Sequence, residues 1–222
     1  MKTSAFIFDI GGVVLNYDLE AIAARIARRA PPIMEQVRQL RWDSSLREVE
    51  SGRISGREYF ARHIGPLAPG WSYRDLVQAW GDVFTINEDG FRLLRELREK
   101  GQPVYLLSNL ADFNAEAIEE KFPEVLAAVS GRFYSFELGC VKPEPDIYLA
   151  ACGRIGVAPG ECLFLDDTIE CVEGARRVGM RASHFTAARV ATIRREVSDA
   201  MRGANGAGAV AAGAGVRDGA GG

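Results

Sequence analysis

Histidine is nearly absent from this 222-residue chain: only His63 and His184 occur, which supports neither a multi-histidine metal centre nor a serine-histidine triad. No G-x-S-x-G stretch is present, so the ordinary hydroxyl-nucleophile elbow is excluded as well. The four cysteines, 140, 152, 162 and 171, form no CxxC pair and read as small buried residues of a reducing compartment. No apolar run approaches 18 residues and no charged leader precedes an apolar segment, which points to a cytoplasmic protein with no membrane partner. A formal net charge of -3 gives no support to a nucleic-acid surface. Lysine is scarce too, at 2, 100, 121 and 142 only, so Lys142 needs its own explanation.

What is present is a chain able to bury a full core, with 47% hydrophobic and 26% charged residues. Phe6, Ile7 and Phe8 predict a strand buried on both faces, ending at Asp9 and followed by Gly11 and Gly12, where the backbone can turn sharply or approach a ligand. From Tyr17 to Asn87 the pattern is helical. Leu19, Ile22, Ala23 and Ile26 share a face behind Asp18 as N-cap, Pro31-Pro32 ends that helix, and three further helices follow with little strand character.

After this block the rhythm becomes regular. "GFRLLRELREKG", "AEAIEEKF", "PDIYLAACGRIG", "TIECVEGARRVG" and "AARVATIRREVSDAM" are predicted helices. "PVYLLS", "FYSFE", "CLFLDD" and "MRASHF" are predicted strands. This alternation specifies an α/β fold with a Rossmann-like, mostly parallel sheet covered by helices on both faces. The core is expected over 1–16 and 88–200, with an all-helical block over 17–87. In 203–222, 15 of 20 residues are Gly or Ala, and that tail is predicted to be disordered.

Ligands of an open parallel sheet bind beyond the carboxyl ends of its strands. There the sequence puts Asp9, Ser108 with Asn109, the Lys142 loop, and Asp166 with Asp167. Each alone is commonly a turn, a cap or a solvated loop residue; together they suit a divalent cation and a phosphate. Carboxylate oxygens are the hard ligands magnesium prefers, a lysine offsets charge on phosphoryl oxygens, and aspartate can attack phosphorus.

These pieces resemble the haloacid dehalogenase superfamily, in the branch whose helical cap follows the first strand. "FDIGG" looks like its first motif, "LLSN" the second, "VKPEPDIY" the third, and "LFLDD" with "VEGARRVG" the fourth, over roughly residues 5–185. The resemblance implies that 17–87 is the cap and that Asp9 is a nucleophile forming an aspartyl-phosphate. It implies phosphoryl binding by Ser108, Asn109 and Lys142, and a Mg2+ site made by Asp9, the Gly11 carbonyl and Asp167, supported by Asp166 and Glu170. The substrate would be a small phosphorylated metabolite, with the "FDxGG" variant resembling a sugar-phosphate (glucose-1-phosphate) phosphatase subgroup.

Two positions depart from the family pattern. Gly11 stands where most phosphatases of the superfamily carry a second aspartate, the general acid and base, and such help is worth about 10²–10⁴-fold. Cys171 stands where an acidic residue or asparagine would hold the lysine. A binding or regulatory module and a 2-haloacid dehalogenase therefore remain as alternatives. Aromatics of the helical block, Trp42, Tyr59, Phe60, Trp71 and Trp80, read mainly as its core, and Arg41 or Arg47 could reach a polar substrate.

Overall fold

The computed structural model describes residues 3–18, 20, 21, 24 and 44–205. Most of the helix expected after Asp18, Trp42 and Arg41, and residues 206–222 of the expected tail lie outside the described residues.

β1 (Ala5–Phe8) is the central strand, buried at all four positions. It is flanked by β4 (Val104–Ser108) and β6 (Cys162–Asp166), with β5 (Gly131–Tyr134) and β7 (Arg181–His184) outside them, and every pairing is parallel. Phe6 lies opposite both Val104 and Leu163, so the carboxyl ends of the three inner strands fall within two residues of one another and deliver Asp9, Ser108 and Asp166 to one edge.

Alternation along the strands divides the core in two. Phe6, Phe8, Leu106 and Leu165 join the cluster that includes Leu94 of α4 (Glu88–Glu99), Phe113 of α5 (Asp112–Lys121) and Ile193 of α10 (Val190–Asn205). Ala5, Ile7, Leu107 and Phe164 face the other way, onto Ile147 and Ala151 of α8 (Pro145–Ile155) and Ala175 of α9 (Ile169–Arg177). Two-sided cover is what continuous apolar strands require, because successive side chains point to opposite faces.

The inserted block contributes α1 (Ser44–Glu50), α2 (Gly56–Tyr59), running on into a π turn over Phe60–Ile64, and α3 (Tyr73–Val83). Its boundaries differ from the all-helical expectation: β2 (Leu15–Tyr17) pairs antiparallel with β3 (Phe84–Ile86), with Leu15 opposite Ile86 and Tyr17 opposite Phe84. The outgoing and returning chains run side by side here, and pairing them satisfies backbone groups that one chain alone would expose. A second difference is at "FYSFE". The strand stops at Tyr134, and α7 (Ser135–Leu138) begins where the Ser135 hydroxyl accepts from the Leu110 N-H at 3.0 Å. The remaining short helix, α6 (Pro123–Ala127), starts on its proline. Among the described residues no helix is long and apolar enough to cross a membrane.

Candidate active site

Asp9 leaves β1 with its backbone still in the sheet, its N-H donating to Leu165 O at 2.8 Å. The chain then folds tightly, the Val14 and Leu15 N-H groups both reaching back to Ile10 O at 2.9 and 2.8 Å. Gly12 makes this possible with φ of +69°, and a Cβ there would lie 2.0 Å from Asp167 Oδ2. Gly12→Ala is therefore expected to strain the turn and displace Asp167. A lowered melting temperature together with loss of the stabilisation given by a divalent cation would be the readout. An unchanged cation response would remove the proposed link between this turn and Asp167.

Asn87, the N-cap of α4, closes the arrangement from outside by donating through Nδ2 to Gly12 O at 3.1 Å. Next to Gly12, Gly11 is also filled from without. A Cβ at Gly11 would lie 2.9 Å from Cε1 of Tyr17, whose ring occupies the place a side chain there would take.

The cluster itself is compact. Lys142 Nζ lies 2.9 Å from Asp9 Oδ1 and 2.6 Å from Asp166 Oδ2, with Lys142 5%, Asp9 7% and Asp166 0% exposed. Burial works against the ammonium, but Asp9 and Asp166 outweigh it and hold Lys142 charged well above its usual range. Burial pushes the Asp9 carboxyl up, with Lys142 and a hydrogen bond from Ser108 pulling it back. Asp167 is raised by burial and then by Asp166. Asp9, Asp166 and Asp167 each present an oxygen within 4.8 Å of the others.

Among the described residues of the cluster, three carboxylates against one ammonium leave an excess of negative charge, and an all-oxygen donor set fits a hard divalent cation. Asp166 is the least available of the three, because one oxygen accepts from Lys142 and the other from the Thr168 N-H at 2.8 Å. Asp9 and Asp167 remain, beside Gly11 in the pocket wall. His184 steadies Asp167 through a 2.8 Å hydrogen bond between Nε2 and the Asp167 carbonyl, a contact invisible to a reading that looked for histidine only as a ligand.

Several expectations are refined by this geometry. The Asn109 side chain lines the cavity and also holds the lysine loop: Nδ2 donates to Lys142 O at 3.0 Å and Oδ1 accepts from Lys142 N at 2.8 Å. Glu170 is exposed in the first turn of α9 and is not part of the pocket wall, because neighbours on a helix point about 100° apart and Cys171 takes the inward direction. Burial pushes the Cys171 thiol up to about 12, so it brings no charge to Lys142. The anchoring that an acidic residue would give at 171 comes instead from Asp166.

Above the cluster lies a cavity of about 290 Å³, at the small end for ligand sites. Its floor is Asp9, Ser108, Lys142 and Asp167; Tyr17, Leu46, Glu50, Trp80 and Phe84 bring the stem and the inserted block to its walls. Trp80 is held by Phe84 and Phe113 at 5.8 and 6.2 Å between ring centres, whereas Tyr59 packs on Phe113 in the core. Asn114 adds a buried Nδ2 donor with no hydrogen-bond partner among the described residues. Arg47 is drawn away by its ion pair with Glu144. Sequence reasoning missed Tyr17, Glu50 and Asn114 as wall residues, since no local pattern says which side of the inserted block faces the strand ends.

Comparison with known proteins gives the family. Residues 3–179 match the family model described as haloacid dehalogenase-like hydrolase. The chain is similar to Phosphatase MT3486 of Mycobacterium tuberculosis, 31% identical over 82% of this chain and 87% of that protein. It is also similar to D-ribitol-5-phosphate phosphatase of Bacteroides thetaiotaomicron, 29% identical over 78% and 87%. Among solved structures, a HAD family enzyme of Bacteroides thetaiotaomicron in complex with magnesium and inorganic phosphate superposes with a TM-score of 0.72 at 27% identity, covering 83% of this chain and 95% of that one.

Proposed function

Because the chain belongs to the haloacid dehalogenase-like hydrolase family, we propose that it is a magnesium-dependent phosphatase of small phosphorylated metabolites, with a sugar or polyol phosphate as the substrate class. The observation that carries the reading is the buried Asp9–Lys142–Asp166 arrangement with Asp167 beside it, at the floor of a cavity sized for a small ester. Asp9 attacks phosphorus and carries the phosphoryl group as an aspartyl-phosphate until water removes it. Lys142 offsets the charge of attacker and phosphoryl oxygens, and the Ser108 hydroxyl donates to a phosphoryl oxygen. The Asn109 side chain acts through the lysine loop, holding it at the strand ends.

Magnesium held by Asp9, Asp167 and the Gly11 carbonyl would neutralise phosphoryl charge and reduce the repulsion between two anions. The walls support an oxygen-rich leaving group: Trp80, Phe84 and Tyr17 offer ring faces, and Asn114 offers an unpaired donor.

Phosphate release from a panel of phosphomonoesters with and without magnesium tests the reading. Magnesium-dependent turnover is expected on at least one sugar or polyol phosphate; no release from folded, magnesium-bound protein would overturn it. A separate check needs no substrate. Magnesium at 100 times its dissociation constant is expected to stabilise the native protein by about 2.7 kcal/mol and so raise its melting temperature. Asp167→Asn is expected to lose most of that rise, and a full rise in the variant would remove Asp167 from the metal site.

A further inference from the structure

Among the described residues, the cavity wall contains three carboxyl groups, those of Asp9, Asp167 and Glu50. The phosphatase reading uses the first two, and the role assigned to the third rests on that reading. Protonation of the leaving alcohol is still to be accounted for, since Gly11 has no side chain and the Tyr17 ring fills the space beside it.

Glu50 is the last residue of α1 and comes from the inserted block, in the wall of the same cavity as the strand-end residues. In-line displacement sends the leaving oxygen to the side of phosphorus opposite Asp9, into the cavity that Glu50 lines. The end of α1 and the turn that follows it are held against the core at three points. Arg47 pairs with Glu144, a Cβ at Gly52 would lie 2.3 Å from Phe136 O, and the Gly56 N-H donates to Asp112 Oδ2 at 2.9 Å. The Glu50 carboxyl itself has no hydrogen-bond or ion-pair partner among the described residues, and the charges acting on it are those of Lys142 and Arg47.

We propose that Glu50 is the general acid and base of this enzyme, supplied by the cap in place of the group absent at Gly11. In the first step an Asp9 oxygen bonds to phosphorus, the bond from phosphorus to the leaving oxygen breaks, and that oxygen takes the Glu50 proton and departs as the alcohol. In the second, the Glu50 carboxylate takes a proton from water as the water oxygen bonds to phosphorus. The bond from phosphorus to Asp9 breaks, inorganic phosphate leaves, and Glu50 is again protonated.

The electrostatics suit both roles. Burial raises Glu50 to about 7, with Lys142 and then Arg47 pulling it down, so both protonation states are accessible near neutral pH. Around it, Arg47 is paired with Glu144, and Asp9 and Asp166 share Lys142. Asp167 and the neutral Cys171 line the same cavity, with Tyr17 on the stem. On the flanking helices Glu58 pairs with Arg62, Glu137 with Arg132, and Arg57 lies over the Tyr73 ring.

The test compares Glu50→Gln with wild type on p-nitrophenyl phosphate, whose leaving group needs no proton, and on ribitol 5-phosphate or the best alkyl ester of the panel. On the alkyl ester kcat/KM is expected to fall about 10²–10⁴-fold. On p-nitrophenyl phosphate kcat/KM stays within about tenfold, while a stoichiometric burst of p-nitrophenol precedes a slowed steady state because water lacks its base. The wild-type alkyl profile falls as pH rises through about 7, where the acid ionises, and this limb disappears in the variant.

Equal losses on both substrates, or none, with the magnesium-dependent rise in melting temperature intact, overturn the assignment of Glu50 alone. Wild type without magnesium-dependent turnover overturns the phosphatase reading and the assignment with it. Should Glu50→Gln fail to fold, Glu50→Asp replaces it. Partial alkyl activity that keeps the pH limb supports the role, and full activity without the limb rejects it.

Discussion

Asp9→Asn is expected to abolish magnesium-dependent phosphate release, lowering kcat by roughly 10⁴–10⁶-fold, the scale on which loss of a covalent nucleophile is felt. Asparagine keeps the shape of the side chain but has no anionic oxygen to attack phosphorus. Stability should not fall in parallel. The Asp9 carboxyl is buried and its charged form is penalised by that burial, so a neutral amide removes a desolvation cost while Lys142 keeps Asp166 at 2.6 Å. Phosphate release and a thermal melt on the same preparation separate the two effects. A variant that retains turnover would remove Asp9 as nucleophile; one that loses it only because the melt has collapsed would make Asp9 a structural residue.

Lys142→Met should behave in the opposite way on stability. Removing the ammonium leaves the buried Asp9 and Asp166 carboxylates facing each other without a cation, and breaking a buried pair by deleting one partner costs about 3–5 kcal/mol. In a chain of this size that corresponds to a melting temperature lower by roughly 10 °C. Activity should also be lost, because the attacker and the phosphoryl oxygens no longer share a fixed positive charge. Added magnesium is expected to recover a larger share of the melting temperature in the variant than it adds to wild type, since the unpaired carboxylates then favour any cation. A melt unaffected by the substitution would mean that the carboxylates are held neutral and that the site carries no net negative charge for a cation to balance.

Both predictions turn on side chains that were visible in the sequence, the acidic ones as polar residues after apolar runs. Asp9, Ser108 and Asp166 could be located because a parallel strand buried on both faces leaves its polar residue at the carboxyl end, and helices between strands force the parallel arrangement. Lys142 stood out by rarity in an arginine-rich chain. The β2–β3 ribbon was not legible: three-residue strands carry too little alternation to register against a helical background, and their pairing joins positions about 70 residues apart. The "FYSFE" segment misled for a related reason. Its aromatic residues favour a strand, yet the hydrogen bonds between Ser135 and Leu110 turn the chain into a helix after Tyr134.

Taken by itself, the sequence determined the fold class, the order of strands and helices that builds the core, and the chemical inventory at the strand ends. These depend on local periodicity and on which residue types succeed one another. The tertiary structure alone decided the partnerships. Asp166 rather than residue 171 anchors Lys142, Asn109 spends its side chain on the lysine loop, Tyr17 fills the space beside Gly11, and Glu50 reaches the cavity from the inserted block. Each joins groups that different elements bring together, and a contact of that kind is fixed by packing between elements, on which short-range sequence pattern carries no information.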